Sequence, residues 1–283
     1  MKIRLLTLPF DSGQRDVRMG AGPDRLVEGG LASSLEAAGH RVETERIEAS
    51  ESEVTGEIQR TFELLGKLAA RVRSVREHGL FPIVLAGTCY SAVGMLAGLG
   101  AERTAVLWFD AHADFNTPET TVSGFLDGMA LAMLTGRCWT QLAAAVPGFD
   151  PVPENRVVLI GTRDVDALEA AALDRSAVMV LPPAQVHSSL DARLNELRRQ
   201  VDGVYVHIDL DVLDPAEGKA NHLAVPGGLT LNEMKAALSL VAGLFAVRGV
   251  ALTAYDPSLD DDGRVRSAAF ALLETILAFG AGG

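Results

Sequence analysis

The stretch WFDAHADFNTP, residues 108–118, decides the fold. Its apolar lead-in, residues 105–109, is typical of a buried parallel strand, and it runs directly into Asp110, His112 and Asp114. Alternate residues of an extended chain point the same way, so these side chains converge beyond the strand end, where open α/β sheets place their chemistry. Taken alone, the stretch is either a polar loop with a solvated pair of aspartates or part of a cation site.

A second stretch, YVHIDLDVLDP at residues 205–215, repeats this design. Its strand ends in Asp209 and Asp211, and the following Asp214-Pro215 turns the chain into a loop. Two strands ending in same-side carboxylates gather four aspartates and one histidine, which repel one another unless a cation is present. Oxygen-rich ligands with one imidazole suit a hard or borderline divalent ion, and four carboxylates suit two ions better than one.

Strands and helices alternate along the chain, which predicts a mainly parallel sheet with helices on both faces. The absence of a linker, a low-complexity run or an internal repeat favours one domain over residues 1–283. The predicted strands cover residues 3–8, 41–47, 81–85, 105–109, 156–160, 178–181, 203–208 and 250–255. The predicted helices cover residues 22–38, 54–78, 91–99, 127–134, a segment from about 166, 190–200, 231–244 and 264–279.

The composition excludes several classes of function. The 283 residues carry a formal net charge of −12, which argues against nucleic acid or an anionic membrane as a partner. We find neither a signal peptide nor an apolar run long enough to cross a bilayer, and two cysteines are too few for a disulfide framework. We expect a cytoplasmic protein that acts on a small-molecule substrate. Whether it is a monomer or a homo-oligomer stays open.

Together with PGGLT at residues 226–230, the two aspartate stretches resemble the ureohydrolase family of arginases and agmatinases. The resemblance covers nearly the whole chain. It implies a three-layer α/β/α sandwich and a metal-dependent hydrolase acting on linear amidines, in which two manganese ions generate a bridging hydroxide. It also implies a set of metal ligands: Cys89, Asp110, His112, Asp114, Asp209 and Asp211.

Cys89 is a departure from the family pattern. In LAGTCYSAVG, residues 85–94, it occupies the place where family members carry a metal-binding histidine. The alternative is a small buried core thiol, the usual fate of a lone cysteine. A thiolate ligand shifts the metal preference toward zinc or iron, whereas the four aspartates still favour manganese.

The resemblance also implies two groups of substrate-binding residues. Arginases bind the α-carboxylate and α-amino group of the substrate with a loop that corresponds here to residues 116–123. A second arginase segment, which corresponds here to residues 161–169, supplies carboxylates near the substrate ammonium. The alternative is an ordinary turn followed by a helix N-terminus with favourable acids. Because both halves match, we expect an α-amino acid substrate, bound by Asn116, Thr121, Ser123, Asp166 and Glu169.

Two further departures concern the chemistry. Asp127 stands where arginases have a proton-shuttling histidine, and it can act as a general acid only if its pKa is raised; otherwise it is a helix N-cap. His222, on a loop near the expected site, is the other candidate shuttle, and the histidines at 40, 78, 187 and 207 are predicted to be structural or on the surface. Ala254 occupies the position of a glutamate that pairs with the substrate guanidinium.

These departures resemble an offshoot of the family that hydrolyses Nω-hydroxy-L-arginine in the biosynthesis of the antibiotic D-cycloserine. They imply hydrolysis of Nω-hydroxy-L-arginine, or a close guanidino amino acid, to L-ornithine and hydroxyurea. Two alternatives stay open. One is a hydrolase of arginine or of another guanidino or formimino amino acid, and the other is a catalytically inactive relative that binds metal.

Overall fold

Strands and helices alternate along most of the computed structural model, which describes residues 1–50 and 56–278. The strands are β1 (Lys2–Leu8), β2 (Phe10–Asp11), β3 (Gln14–Arg15), β4 (Arg41–Arg46), β5 (Phe81–Ala86), β6 (Thr104–Phe109), β7 (Val157–Ile160), β8 (Met179–Leu181), β9 (Gly203–Asp209) and β10 (Val247–Thr253).

The helices lie between these strands. They are α1 (Gly22–Glu28), α2 (Leu31–Ala37), α3 (Glu57–Glu77), α4 (Ser91–Leu99), α5 (Ala130–Leu134), α6 (Thr140–Ala144), α7 (Ala167–Leu173), α8 (Pro183–Leu197), α9 (Leu231–Leu244) and α10 (Arg264–Leu277). Short 3-10 helices cover Arg18–Ala21, Asp127–Met129, Glu154–Arg156, Leu210–Val212 and Pro257–Leu259. Within the described ranges, no helix combines the length and the apolar character needed to cross a membrane.

Eight strands form one sheet in the order β4-β1-β5-β10-β9-β6-β7-β8, and each neighbouring pair is parallel. The order places β6 beside β9 and β10 beside β5 at the centre of the sheet. Trp108 of β6 pairs with His207 of β9, and Thr253 of β10 pairs with Asp209. The chain segments that leave β5, β6 and β9 therefore begin at the same edge of the sheet.

Two apolar layers cover the two faces of this sheet. Along β6, Leu107 packs into the layer that contains α8, α9 and α10, whereas Val106 and Trp108 pack into the layer that contains α3, α4 and α5. All three side chains are fully buried, as expected for a parallel strand covered on both faces. The predicted three-layer α/β/α sandwich with a mainly parallel sheet is confirmed.

Several predicted boundaries were wrong. The helix predicted over residues 22–38 is two helices, because Gly30 adopts a φ of 98° that breaks the helical path. The helix predicted over residues 190–200 begins at Pro183, a residue suited to the first turn. The predicted helix start at residue 54 and the predicted end at residue 279 lie outside the described residues. The single domain stays a prediction.

The close packing of α3 against α4 depends on Gly98. A Cβ at this position would lie 2.4 Å from Val72 Cβ and 2.8 Å from the Ala69 carbonyl oxygen. We therefore expect Gly98→Ala to lower the free energy of unfolding by about 1–3 kcal/mol through overpacking, as measured by urea denaturation.

Gly66→Ala is the matched control. Gly66 also lies within a helix, but a Cβ at this position would lie 4.0 Å from Pro147 Cδ, an ordinary van der Waals contact. Alanine there should leave the stability unchanged or raise it by up to about 1 kcal/mol through helix propensity. Equal urea midpoints for both variants would contradict the helix packing described above.

Candidate metal centre and active site

Potential metal ligands from three separate segments meet at the carboxyl edge of the sheet. Cys89 lies in the turn between β5 and α4, Asp110 and His112 follow β6, and Asp209 and Asp211 lie at the end of β9. Two overlapping groups of ligand atoms result, each with all atoms within 4.8 Å of one another. The first comprises Cys89, Asp110 and Asp209, and the second comprises Asp110, His112 and Asp211. Asp110 is common to both, as expected of a ligand that bridges two ions.

Backbone hydrogen bonds hold these carboxylates in place. The backbone N–H of His112 donates to Asp110 Oδ1 at 2.7 Å, and the backbone N–H of Asp211 donates to Asp209 Oδ1 at 2.8 Å. Both contacts span two residues, because an aspartate at a strand end readily accepts from the backbone of the turn that follows. Trp108 Nε1 donates to Asp110 Oδ2 at 3.0 Å. The repeated Asp-x-[His/Asp] pattern thus orients each carboxylate locally.

Asp114 has a carboxylate oxygen that no described protein group satisfies. It is buried, its backbone has a φ of 50°, and its Oδ2 atom has no hydrogen-bond partner among the described residues. Burial and the nearby Asp110 carboxylate raise the pKa of Asp114 well above its usual range. A buried carboxylate oxygen without a donor is unfavourable, and a divalent cation would satisfy it. This orphaned oxygen supports the fit of the site to bound metal.

The charges of the other carboxylates indicate the same need for a cation. Burial raises the pKa of Asp110 to about 6 and that of Asp209 well above its usual range, with repulsion from Asp211 adding to both. Burial alone would lower the pKa of His112, but its contacts with Asp110 and Asp211, both at 3.4 Å, outweigh burial and raise it. Protons and an imidazolium therefore neutralise this cluster when metal is absent.

Cys89 is part of this cluster and also contacts the protein behind it. Its side chain is buried, and its thiol donates to Asp209 Oδ2 at 3.1 Å. Its Sγ atom also lies 3.2 Å from Thr253 Oγ1. Burial and the Asp209 charge raise the pKa of the thiol, so deprotonation requires a cation in place of the proton. Thiol, carboxylate and imidazole donors together fit two divalent ions.

A cavity of about 210 Å³ opens above this cluster. Five of the predicted ligands line it, and Asp110 lies beneath them in both ligand groups. Among the predicted substrate-binding and catalytic residues, those that line the cavity are Asn116, Ser123, Asp127, Asp166 and Glu169. Thr121 and His222 do not line it.

The predicted substrate-binding residues support one another. Asn116 is buried, and its Nδ2 atom donates to Asp166 Oδ2 at 3.3 Å. Glu169 accepts from the Phe115 backbone N–H at 2.7 Å and from the Asp166 backbone N–H at 3.3 Å. Asp166 and Glu169 thereby cap the N-terminus of α7 in a reciprocal capping box. The two carboxylates therefore stabilise the start of α7 and also line the cavity.

The predicted loop residues differ in where they lie. Ser123 faces the cavity, whereas the Thr121 hydroxyl accepts from the Gly124 backbone N–H at 3.0 Å within its own turn. His222 is well exposed, and its Nε2 atom lies 3.6 Å from Asp256 Oδ2. That oxygen is buried and has no hydrogen-bond partner among the described residues. His222 is thus an exposed partner of the buried Asp256, and neither residue lines the cavity.

Asp127 lies deep in the cavity. It is the first residue of a short 3-10 helix and not its N-cap, and its Oδ1 atom accepts from the Tyr90 backbone N–H at 3.0 Å. Burial raises its pKa well above the usual range, and the Tyr90 hydrogen bond only partly opposes this. The buried surroundings of Asp127 therefore favour the protonated form of its carboxyl group. The N-cap alternative for this residue was wrong.

The sequence interpretation missed Asn221. This buried side chain lines the cavity, where its Nδ2 atom donates to Asp211 Oδ2 at 3.1 Å and to the Ala254 carbonyl oxygen at 3.0 Å. It thus joins a predicted metal ligand to the wall where Ala254 lies. The available signal was its position, one residue before the predicted His222. Asp164, Phe125, Met19 and Leu223 also line the cavity without having been predicted.

Comparison with known proteins gives a consistent match over nearly the full length. The sequence model of the Arginase family matches residues 1–278. The arginases of Bacillus caldovelox and Bacillus subtilis strain 168 are 31% and 30% identical to this chain, each over 97% of both sequences. The native structure of the Bacillus caldovelox arginase at pH 5.6 matches with a TM-score of 0.89 and 29% identity, over 97% of both chains.

The raised carboxyl pKa values predict how stability depends on pH. Because Asp110 titrates near 6 when folded and near 3.8 when unfolded, the folded metal-free protein binds more protons between these values. Its free energy of unfolding should therefore fall as the pH rises from about 4 to about 6, by roughly 1.4 kcal/mol per unit of pKa difference for each such group. His112 is protonated in both states over this window and does not contribute.

Urea unfolding of chelator-treated protein at several pH values measures this slope. Asp110→Asn is the matched control, since it is neutral at every pH and should make the slope shallower. Added divalent metal should restore stability most strongly at the higher pH, where fewer protons compete for the ligands. A metal-free protein that gains stability from pH 4 to pH 6 would contradict the charge balance described here.

Proposed function

The chain belongs to the arginase family of metal-dependent hydrolases, which act on amidino and guanidino groups, and on this premise we propose that it hydrolyses Nω-hydroxy-L-arginine to L-ornithine and hydroxyurea. The observation that carries the proposal is Ala254. It lies in the cavity wall beside Asn221, at the position where a glutamate would meet a substrate guanidinium. The amino-acid end and the guanidino end of the substrate require different side chains in the cavity.

The amino-acid end suits an α-carboxylate and an α-ammonium. Asn116 and Ser123 bring a side-chain amide and a hydroxyl to the cavity, both able to donate to a carboxylate. Asp164, Asp166 and Glu169 bring carboxylates, which favour an ammonium. An amine that lacks the carboxylate, such as agmatine, would leave the neutral donors without a partner.

The other end of the cavity suits a less basic group than guanidinium. Ala254 offers a methyl group where a carboxylate would form a charge-assisted hydrogen bond, and Asn221 has already committed both amide hydrogens to Asp211 and the backbone. A guanidinium cation would therefore lose a partner on leaving water. An N-hydroxyguanidine is less basic, and its extra hydroxyl occupies the space that a longer side chain would fill.

The proposed metal content is two manganese ions, with zinc or iron as the alternatives that the Cys89 thiolate opens. The first ion would be held by the group of Cys89, Asp110 and Asp209, and the second by the group of Asp110, His112 and Asp211, with the unpartnered Asp114 completing the shell. When bound, the ions supply an activated water and polarise the amidino group. The protein supplies orientation through the fixed carboxylates and a sheltered cavity.

Asp127 is the proposed proton donor. Cleavage of the bond between the amidino carbon and the ornithine nitrogen requires a proton on the leaving amine, while water adds to the carbon. Burial raises the pKa of Asp127 and so favours a proton on its carboxyl group, which lines the cavity together with the predicted ligands. His222, which lies 3.6 Å from Asp256, is the alternative donor and would carry the proton from solvent to the leaving amine.

Arginase activity is the second candidate, and the relatives named as arginases favour it. A side-by-side assay of metal-loaded protein with Nω-hydroxy-L-arginine and L-arginine separates the two. We expect kcat/KM to favour hydroxyarginine by roughly 10- to 100-fold, since a charged hydrogen bond is worth about 1.5–3 kcal/mol. Ornithine, hydroxyurea and urea are measured. Equal or faster turnover of arginine would overturn the substrate assignment, and metal-loaded protein inactive on both would indicate an inactive relative.

Ala254→Glu should move the preference toward arginine. The new carboxylate would meet the guanidinium and would crowd the added hydroxyl, so the ratio of kcat/KM for arginine over hydroxyarginine should rise by about 10-fold or more. Alanine already bears the φ of 62° at this position, so glutamate adds no backbone strain. Ala254→Gln, with the same shape and no charge, is the control. An equal change in both variants would show that bulk and not charge decides.

A further inference from the structure

A chain of buried polar side chains runs from the core of the sheet to Cys89. Tyr205 OH lies 2.8 Å from His207 Nδ1, and His207 Nε2 lies 3.3 Å from Thr253 Oγ1. Thr253 Oγ1 in turn lies 3.2 Å from Cys89 Sγ. All four side chains are at most 1% exposed. Polar groups are expensive to bury, so a chain of them that ends at a predicted metal ligand calls for an explanation.

The register of the neighbouring strands brings these polar side chains into contact. Tyr205 and His207 are alternate residues of β9. Thr253 lies on the neighbouring strand β10, where it pairs with Asp209 of β9. On the other side, Trp108 of β6 pairs with His207 and stacks on it, with ring centroids 3.7 Å apart and planes at 15°. The stacking fixes the orientation of the imidazole ring. The same Trp108 donates to Asp110, so the stacked pair contacts the metal cluster directly at Asp110 and reaches Cys89 only through Thr253.

The hydrogen bonds of the chain have one favoured direction. The His207 imidazole is fully buried and contacts no carboxylate among the described residues, so it is neutral and only one of its ring nitrogens carries a hydrogen. If Nδ1 carried it, the Tyr205 hydroxyl hydrogen would have no acceptor among the described residues, a loss of about 1–3 kcal/mol in a dry core. Tyr205 therefore donates to Nδ1, and Nε2–H donates to Thr253 Oγ1. The Thr253 hydrogen is left to donate onward.

Two acceptors compete for the Thr253 hydrogen, the Ile208 carbonyl oxygen at 3.3 Å and the Cys89 sulfur at 3.2 Å. A thiol is a weak acceptor, and in the metal-free protein the Cys89 thiol instead donates to Asp209. A metal-bound thiolate has no hydrogen and carries negative charge, which makes sulfur the stronger acceptor. With a cation in place of the thiol proton, the Thr253 hydroxyl would donate to the sulfur rather than to the Ile208 carbonyl oxygen.

We propose that Tyr205, His207 and Thr253 form a directional hydrogen-bond relay that positions the Cys89 sulfur and stabilises its charge as a metal ligand. This inference rests on the metal centre of the proposed function and adds three positioning residues to it. None of the three lines the cavity. Partners of metal ligands commonly alter metal affinity by about 10- to 100-fold, which sets the size of the expected effect.

Cobalt(II) provides a readout that does not depend on activity. A thiolate ligand gives a charge-transfer absorption in the near ultraviolet, whose energy falls when a hydrogen bond to sulfur is removed. We expect the band of the full-length cobalt-loaded protein to move to longer wavelength in Thr253→Val, with cobalt bound about 10- to 100-fold more weakly in competition with a chelator. Thr253→Ser should restore both values. Tyr205→Phe should shift the band in the same direction by a smaller amount.

Thr104→Val is the matched control, because Thr104 is another buried threonine, with its hydroxyl bonded to the Gly100 carbonyl at the opposite end of the sheet. It should leave the band unmoved. Circular dichroism checks folding, and if Thr253→Val does not fold, the Thr253→Ser and Tyr205→Phe spectra decide. An unmoved band in folded Thr253→Val overturns the relay, and so does an unmoved band in Tyr205→Phe.

A further control separates this inference from the proposed function. Cys89→Ser should abolish the charge-transfer band, whereas Cys138→Ser should retain it. A wild-type band that Cys89→Ser removes, but that Thr253→Val leaves in place, refutes the relay alone and keeps the metal centre. A cobalt-loaded wild type without any such band refutes both the thiolate ligand and the relay.

Discussion

Mutual repulsion among buried acidic groups is the constraint on which the site depends. Asp110, Asp114, Asp209 and Asp211 lie at one edge of the sheet, almost entirely out of water, together with the Cys89 thiol. Within residues 1–50 and 56–278, only the His112 side chain offers a positive charge in direct contact with them. The protein holds the carboxylates in place with backbone hydrogen bonds and a rigid parallel sheet, and it leaves Asp114 with an oxygen that no described group satisfies. A scaffold built in this way stores unfavourable charge that divalent cations relieve.

The sequence predicts the sheet and the convergence of its strand ends because both follow from short-range rules. Two apolar strands, each ending in alternate aspartates, leave few ways to arrange the side chains, and the described structure brings Asp110 and Asp209 into one cluster. Helix boundaries depended on less regular features, such as the left-handed backbone at Gly30. The sequence interpretation missed Asn221, because a neutral amide gains its role from two partners that only the fold brings near. His207, predicted to be structural or on the surface, is buried, and its contacts likewise depend on strand register.

The cavity wall and the fold share some of their side chains. Glu169 accepts backbone hydrogen bonds from Phe115 and Asp166 while it faces the cavity, so its removal would loosen α7 as well as alter the cavity charge. Asn221 likewise joins a loop to Asp211 and to the Ala254 carbonyl. Changes at these residues would affect stability and function together. Ser123 and Asp164 face the same cavity, and each has few contacts that support the core.

Ala254 differs from these shared residues. Its backbone has a φ of 62°, its carbonyl oxygen accepts a hydrogen bond from Asn221, and its side chain is a single methyl group that forms no hydrogen bond. The strain at this position is therefore borne by the main chain, whichever L-amino acid stands there. Over evolutionary time, a lineage with this scaffold could exchange this one side chain, and with it the charge presented to a ligand, without having to rebuild the protein around it. Diversification within the fold would then need few intermediate sequences.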